Sequence, residues 1–306
     1  MEEKLTKDRH FAYLAGLIDG EGNVGVYRSK NQKGYWGYAL NINVSNSDRR
    51  IMKHLVQHFG GTFRWGTRSY IWKPNGGKNK ASWLLNGIYP YLVVKHEQAL
   101  LILDFIGLGR KICPDRRYIL YTKTKKLNAV GVPKRGSFPE HTKSDWAYFA
   151  GLVDGEGHIR ISKANQSNGY GFCYIKDLSI KNCSEVLMQY LAREFGGIYK
   201  SCSVKQPGAA PAFRWSLFGN KIQEKALLAF IPYLVAKKKQ AVALLEFVRL
   251  DGQCNPDRRE ELMHIIQTDR LSTSPETNTS DTLDFQGVKI EPELHGNMQS
   301  VLSGNG

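Results

Sequence analysis

The sequence predicts an α+β fold built from two copies of one αββαββα unit. Three observations lead there. First, the twelve residues from Phe11 to Gly22 return 135 positions later, from Trp146 to Gly157, with nine of the twelve identical. Second, the likeness continues downstream: His58-Phe-Gly-Gly61 answers Glu194-Phe-Gly-Gly197, Tyr89–Ala99 answers Ile231–Ala241, and Pro114-Asp-Arg-Arg117 answers Pro256-Asp-Arg-Arg259. Third, the apolar spacing alternates between helical and strand periods in the same order in both copies. A chain of 306 residues is long enough for two cores of this size. The offset between copies grows along the chain, so insertions fall in loops.

The elements follow in order. The first helix of each unit is expected to start at Asp8 or Ser144, both good caps, and to end at the Gly-Glu-Gly turn. Val24 and Val26, and Ile159 and Ile161, then alternate with polar or small residues, which reads as a half-buried strand. Leu40, Ile42 and Val44, and Leu178 and Ile180, alternate in the same way and give a second strand. Residues 50–59 and 185–195 read as amphipathic helices. Two more strands are expected around 62–72 and 82–87, and around 198–204 and 212–218. Helices around 91–106 and 233–250 close the units. The organisation read from this is a first unit at 1–121, a basic Pro/Gly-bearing linker at 122–143, a second unit at 144–270, and a Ser/Thr/Asn/Gly-rich tail at 271–306 expected to be disordered.

The net charge is +15. The tail runs against it, with five acids and one base; without the tail 42 basic and 23 acidic residues remain, a net +19. Such a charge, interleaved with 15 Tyr and 6 Trp, points to a nucleic acid. The five cysteines form no C-x-x-C pair, which argues against zinc, and their odd count and wide spacing suggest reduced thiols. No apolar run reaches transmembrane length, and the N-terminus carries neither a signal nor a transit pattern.

Within the repeated motif, Ala12 and Gly16, with Ala15 beside them, and Ala147, Gly151 and Ala150 are small residues at helical spacing. They would let two helix backbones approach closely. Asp19 and Asp154 are assigned to structure, as end caps or interface hydrogen-bond partners. Glu21 and Glu156 differ: if the helices pair about a pseudo-two-fold axis, the two carboxylates meet, and crowded like charges ask for cations. Oxygen ligands favour Mg²⁺.

This motif, Phe11-Ala-Tyr-Leu-Ala-Gly-Leu-Ile-Asp-Gly-Glu-Gly22 and its second copy, resembles that of the LAGLIDADG homing endonucleases in their single-chain, two-motif, monomeric form. The resemblance implies a β-saddle over double-stranded DNA with a long, roughly pseudo-palindromic target. It implies Mg²⁺-dependent hydrolysis of both strands with 3′ overhangs, in an intron-encoded enzyme. Glu21 and Glu156 fall at the family's metal-ligand position, where Asp is commoner, with Gly20 and Gly155 beside them; two or three Mg²⁺ ions would be shared there. Lys95 and Lys237 match the family's active-site lysine. Asn46 matches the family's amide that holds the nucleophilic water, and Arg50 the arginine that follows nearby; Asn182 matches the amide in the second unit, but the second arginine position is Val186, so either another basic residue such as Lys181 substitutes or the second centre is weaker.

The polar strand faces supply the expected DNA contacts: Asn23, Tyr27, Asn41, Asn43, Arg64, Arg68 and Tyr70 in the first unit, and His158, Arg160, Ser162, Ser179, Lys181, Lys200 and Ser203 in the second. Two rival readings use the same scaffold. One is an RNA-binding maturase whose partner is the host intron RNA; the other is a non-catalytic DNA-binding regulator. Both predict that the paired acids are dispensable. The expected location is an organelle if an organelle genome encodes the chain, and otherwise a prokaryotic cytoplasm.

Overall fold

The computed structural model describes residues 2–108, 114–130, 142–165, 171–203, 211–250 and 255–271. It is an α+β structure of two like units. The first runs α1 (Glu2–Glu21), β1 (Gly22–Lys30), β2 (Trp36–Asn46), α2 (Arg49–Phe59), β3 (Thr62–Trp65), β4 (Tyr70–Lys73), α3 (Gly77–Ile88), α4 (His96–Gly107) and α5 (Pro114–Val130). The second runs α6 (Trp146–Glu156), β5 (Gly157–Asn165), β6 (Phe172–Asn182), α7 (Glu185–Phe195), β7 (Ile198–Cys202), β8 (Ala212–Ser216), α8 (Asn220–Phe230), α9 (Lys238–Arg249) and α10 (Pro256–Leu271). A short 3-10 turn, Tyr89–Tyr91 or Ile231–Tyr233, precedes α4 and α9. Among the described residues no helix is long and apolar enough to cross a membrane.

Each unit holds one antiparallel sheet, ordered β1-β2-β4-β3 and β5-β6-β8-β7. The period-2 pattern sets what each face meets. Val24, Ile42, Val44 and Trp72 in one unit, and Ile159, Leu178, Ile180 and Trp215 in the other, point into a core shared with the helices and are 0–5% exposed. The helix-to-strand junction has no loop. Gly22 follows Glu21 directly, and a Cβ there would lie 2.5 Å from Ile18 Cα; at Gly157 it would lie 2.5 Å from the Val153 carbonyl oxygen. Only glycine lets the chain leave the helix this sharply. The acid before it is thereby fixed at the helix end.

Several sequence expectations are corrected here. Residues 82–87 belong to α3: Ala81, Leu84, Leu85 and Ile88 are buried at helical spacing, and α8 repeats this with Gln223, Ala226, Leu227 and Phe230. The expected strand at 62–72 is a hairpin, turned where Gly66 N–H donates to the Ser69 carbonyl at 2.7 Å. The linker read at 122–143 begins inside α5. That helix lies along the edge strand β1, buries Thr124, and donates from Asn128 Nδ2 to the Val24 carbonyl at 3.2 Å. Residues 131–141 and 272–306, the rest of that linker and the tail, lie outside the described residues, as do Cys113 and Cys254. Helix α1 runs through Asp8 to Glu2, and α6 is capped by Asp145, which accepts from Ala147 N–H, rather than by Ser144.

Candidate active site

Helices α1 and α6 pack against each other through their small residues. A Cβ on Gly16 would sit 2.0 Å from the Tyr148 carbonyl oxygen, and one on Gly151 would sit 2.0 Å from that of Tyr13. The two backbones therefore touch, as the sequence pattern required. At the ends of this contact, Glu156 Cγ lies 3.1 Å from where a Gly20 Cβ would be, and Glu21 Cγ lies 3.6 Å from where a Gly155 Cβ would be. Each glutamate thus leans over the glycine that precedes the other. Glycine at these two places leaves the space that the opposite acid fills.

Asp19 and Asp154 are structural, and their bonding is the same in both units. Asp19 accepts from the backbone N–H of Val93, Val94 and Lys95 at 2.7, 3.1 and 2.9 Å, and from Tyr148 Oη across the interface at 2.9 Å. Asp154 accepts from Val235, Ala236 and Lys237 at 2.8, 3.2 and 2.8 Å, and from Tyr13 Oη at 2.8 Å. Each acid ties its motif helix to the start of α4 or α9 and to the opposite motif helix. Burial pushes both carboxyls up; the facing lysine and the donated hydrogen bonds pull them back.

Lys95 and Lys237 reach the same helix ends. Lys95 Nζ donates to the carbonyls of Ile18 and Asp19 at 2.5 and 2.9 Å. Lys237 Nζ donates to those of Val153, Asp154 and Gly157 at 2.7, 3.0 and 2.9 Å. These carbonyls gather at a helix C-terminus, where a cation is favoured. Burial lowers both lysines, and the interface acids, including Glu21 and Glu156, oppose that. Both ammoniums therefore do two things: they hold the helix ends and they place positive charge beside the paired glutamates.

The two glutamates are not equivalent. Burial is the main cause that raises Glu21, and with Glu156 adding to it the carboxyl is pushed up to about 7; the Asn46 hydrogen bond and the two lysines lower it. Asn46 Nδ2 donates to Glu21 Oε2 at 2.6 Å while its own Oδ1 accepts from Asp48 N–H. Burial also raises Glu156, opposed by Lys237 and Lys95. Asn182 Oδ1 accepts from Ser184 N–H at 2.9 Å, the same turn, but among the described residues no hydrogen bond joins it to Glu156. Arg50 takes a structural place. Its guanidinium grips Asp48 at 2.6 Å and faces Asp269 of α10 at 3.6 Å, so it links the units instead of lying on a glutamate. Lys181 lies on the opposite face of β6 from Asn182, paired with Arg214, and does not take the missing arginine's position.

The donor set fits a hard divalent cation. Two half-buried carboxylates face one place, and burial and mutual repulsion hold Glu21 at a charge cost that a cation would relieve.

The outer sheet faces carry most of the expected DNA contacts. Register places Asn23, Tyr27, Asn41, Asn43 and Arg64 on one outer face, and His158, Arg160, Ser162, Ser179, Lys181 and Lys200 on the other. Arg68 is exposed in the β3–β4 turn. Tyr70 is corrected: it pairs with Asn46 and Trp65 on the helix side, its ring against Phe63 and Trp65. Ser203 falls just past β7 with the parity opposite to Lys200. Ser179 is fully buried, and Asn41, 6% exposed, spends its side chain on Asn23 and Asn43 at 3.0 and 2.8 Å. These two shape the face from beneath. Lys73, Asp177 and Arg214 were missed; they share the outer faces, with Arg214 bonded to Asp177. Lys73 sits opposite Thr62 and Arg214 opposite Lys181, so only the cross-strand register, and not alternation within one strand, reveals them.

Two acids carried by glycine-packed helices between two antiparallel sheets define a pseudo-symmetric, two-unit scaffold with one shared site. The family described as LAGLIDADG endonuclease matches residues 14–99, which take in Leu14–Gly22 of the first motif and Lys95. No curated protein matches the chain. Among solved structures, I-SmaMI bound to uncleaved DNA target in the presence of calcium ions is similar at 17% identity and TM-score 0.62, over 84% of this chain and 97% of that one. The I-SmaMI LAGLIDADG homing endonuclease bound to cleaved DNA is similar at 16% identity and TM-score 0.62, over 84% and 95%. I-LtrWI bound to target DNA is similar at 13% identity and TM-score 0.60, over 86% and 98%. Residues 14–99 are thus similar to the LAGLIDADG endonuclease family, and the whole chain shares the two-unit fold of these solved structures.

Proposed function

We propose that this protein is a LAGLIDADG-type endonuclease that cuts both strands of double-stranded DNA at one long, roughly pseudo-palindromic site, with Mg²⁺, leaving 3′ overhangs, and that it is intron-encoded and acts as a monomer. The observation that carries this reading is the pair of glutamates, each set against the other's glycine at the end of the α1–α6 contact. Solved neighbours bound to cleaved and uncleaved DNA support it.

Glu21 and Glu156 would hold the metal, with the carbonyls of Gly20 and Gly155 beside them. When bound, the metal supplies an activated water and neutralises the leaving oxygen. The chain's own residues do the rest. Lys95 and Lys237 hold the helix ends and offset the negative charge that gathers between them. Asn46 orients the Glu21 carboxylate. The exposed Arg64, Arg68, Arg160, Lys181 and Lys200 meet phosphates or base edges, while Asn23, Tyr27 and His158 offer donors and a ring to the grooves.

The test is cleavage of a duplex carrying the uninterrupted form of the host gene, in Mg²⁺ and in Ca²⁺, with end mapping of both strands. Staggered cuts with 3′ extensions in Mg²⁺ are expected. Binding of RNA without DNA cleavage would favour the maturase reading instead.

A further inference from the structure

Away from the glutamates, three imidazoles converge between α1 and α2. His54 and His58 are one turn apart on α2 and share a face of it. His10 comes from α1. Ring nitrogens of all three lie within 4.8 Å of one another. The His10 ring stacks on His58 with centroids 3.6 Å apart, and His54 lies 4.4 Å from His58 and 5.4 Å from His10.

Nothing in ordinary packing accounts for this grouping. His54 Nε2 is buried and has no hydrogen-bond partner, which is costly for a ring nitrogen. Among the described residues no acid pairs with any of the three rings. Burial, with mutual repulsion for His10 and His54, lowers all three, His54 to about 4. The rings are therefore neutral near pH 7, the form that binds metal.

We propose that His10, His54 and His58 form a second metal site, separate from the glutamate pair, that takes a divalent transition ion of the zinc type. Three imidazoles and one open position suit a tetrahedral ion. Nitrogens 2.0–2.1 Å from zinc stand roughly 3.4 Å apart, so the rings must close and unstack by about an ångström, a small χ rotation. Imidazole nitrogen selects such ions over Mg²⁺, and carboxylate oxygen does the reverse, so the two sites sort different metals.

The consequence lies in the helices that the ion would join. Helix α1 ends in Glu21, and α2 starts just after Asn46 and its turn to Asp48. The His54 ring also rests edge-on against Tyr13, 5.1 Å away, and Tyr13 is the donor to Asp154 across the interface. An ion at the histidines is thus a clip between the two elements that position Glu21.

The experiment uses the full, tag-free chain stripped with chelator, then titrated with Zn²⁺ or Co²⁺. Unfolding temperature, calorimetry and the visible absorption of bound Co²⁺ are read together. One equivalent should bind, with tetrahedral Co²⁺ bands. At a hundredfold excess over Kd the unfolding temperature should rise by roughly 5 °C. The rise should persist in Glu21→Gln and vanish in His58→Ala and in His10→Gln, each checked as folded by circular dichroism. No Zn²⁺-dependent rise in the wild type would overturn the proposal. So would a rise that survives the double variant His10→Gln/His58→Ala, since the ion would then sit elsewhere.

Discussion

The two units share the bonds of their structural aspartates yet differ at the glutamate. Asp19 and Asp154 each hold three backbone amides and a tyrosine from the opposite helix. Lys95 and Lys237 close equivalent helix ends. Glu21, however, takes the Asn46 amide at 2.6 Å, while Asn182 stays in its turn and Glu156 receives no such bond among the described residues. Duplication has kept what the interface needs and let the polar surroundings of the two acids drift. The interface is under steric demand from both sides, because each helix contacts the other's backbone. The surroundings of the acids are not.

The largest effect should fall on the part where the units agree. Gly16→Val and Gly151→Val each drive a side chain into carbonyl oxygens 2.0 Å from the new Cβ. Each should cost about 4 kcal/mol or more, because backbone gives way far less than a side chain. Thermal unfolding checks it. A large drop for one glycine and none for the other would break the symmetry claimed for the interface.

Next comes the pH dependence of Glu21. Its carboxyl is raised to about 7, so its contribution to stability is full below the ordinary carboxylate range and is lost as pH rises through 7. Glu21→Gln, without metal, should therefore gain up to about 3 kcal/mol over wild type at pH 8 and almost nothing at pH 4. Denaturant melts at both pH values give the numbers. A gain of equal size at both pH values would show that the charge is not its source.

A smaller effect sharpens the difference between units. Asn46→Ala removes a bond to a charged group; Asn182→Ala does not. Both lose the same bond within their turn, to Asp48 N–H or to Ser184 N–H, so that loss cancels in the comparison. Asn46→Ala should raise the Mg²⁺ concentration needed for half-maximal cutting roughly tenfold more than Asn182→Ala. Equal shifts would mean that Asn182 meets Glu156 once DNA is bound.

Much of this was legible in the sequence because it occurs twice. The motif helices, the small residues between them, the structural aspartates and the paired glutamates all follow from two copies in register. What was missed has physical reasons. The Gly66–Ser69 turn splits an apolar run, and that put Tyr70 on the wrong face. The Lys-rich stretch after Tyr121 reads as linker, yet its helix earns a place through Thr124 and Asn128 against β1. Arg50 sits at the spacing of a site residue, but Asp48 and Asp269 hold it; the second lies in another unit, invisible to local pattern. The three histidines are joined only by the packing of α1 on α2.

The central claim is that Glu21 and Glu156 form one shared site for cutting. It is tested by strand-resolved cleavage of a labelled target duplex by the wild type, Glu21→Gln and Glu156→Gln, with gel-shift binding alongside. The account predicts that either variant loses cutting of both strands by about a thousandfold or more while binding stays within a few-fold, because each acid leans over the other's glycine. Full cutting of both strands by either variant would contradict it.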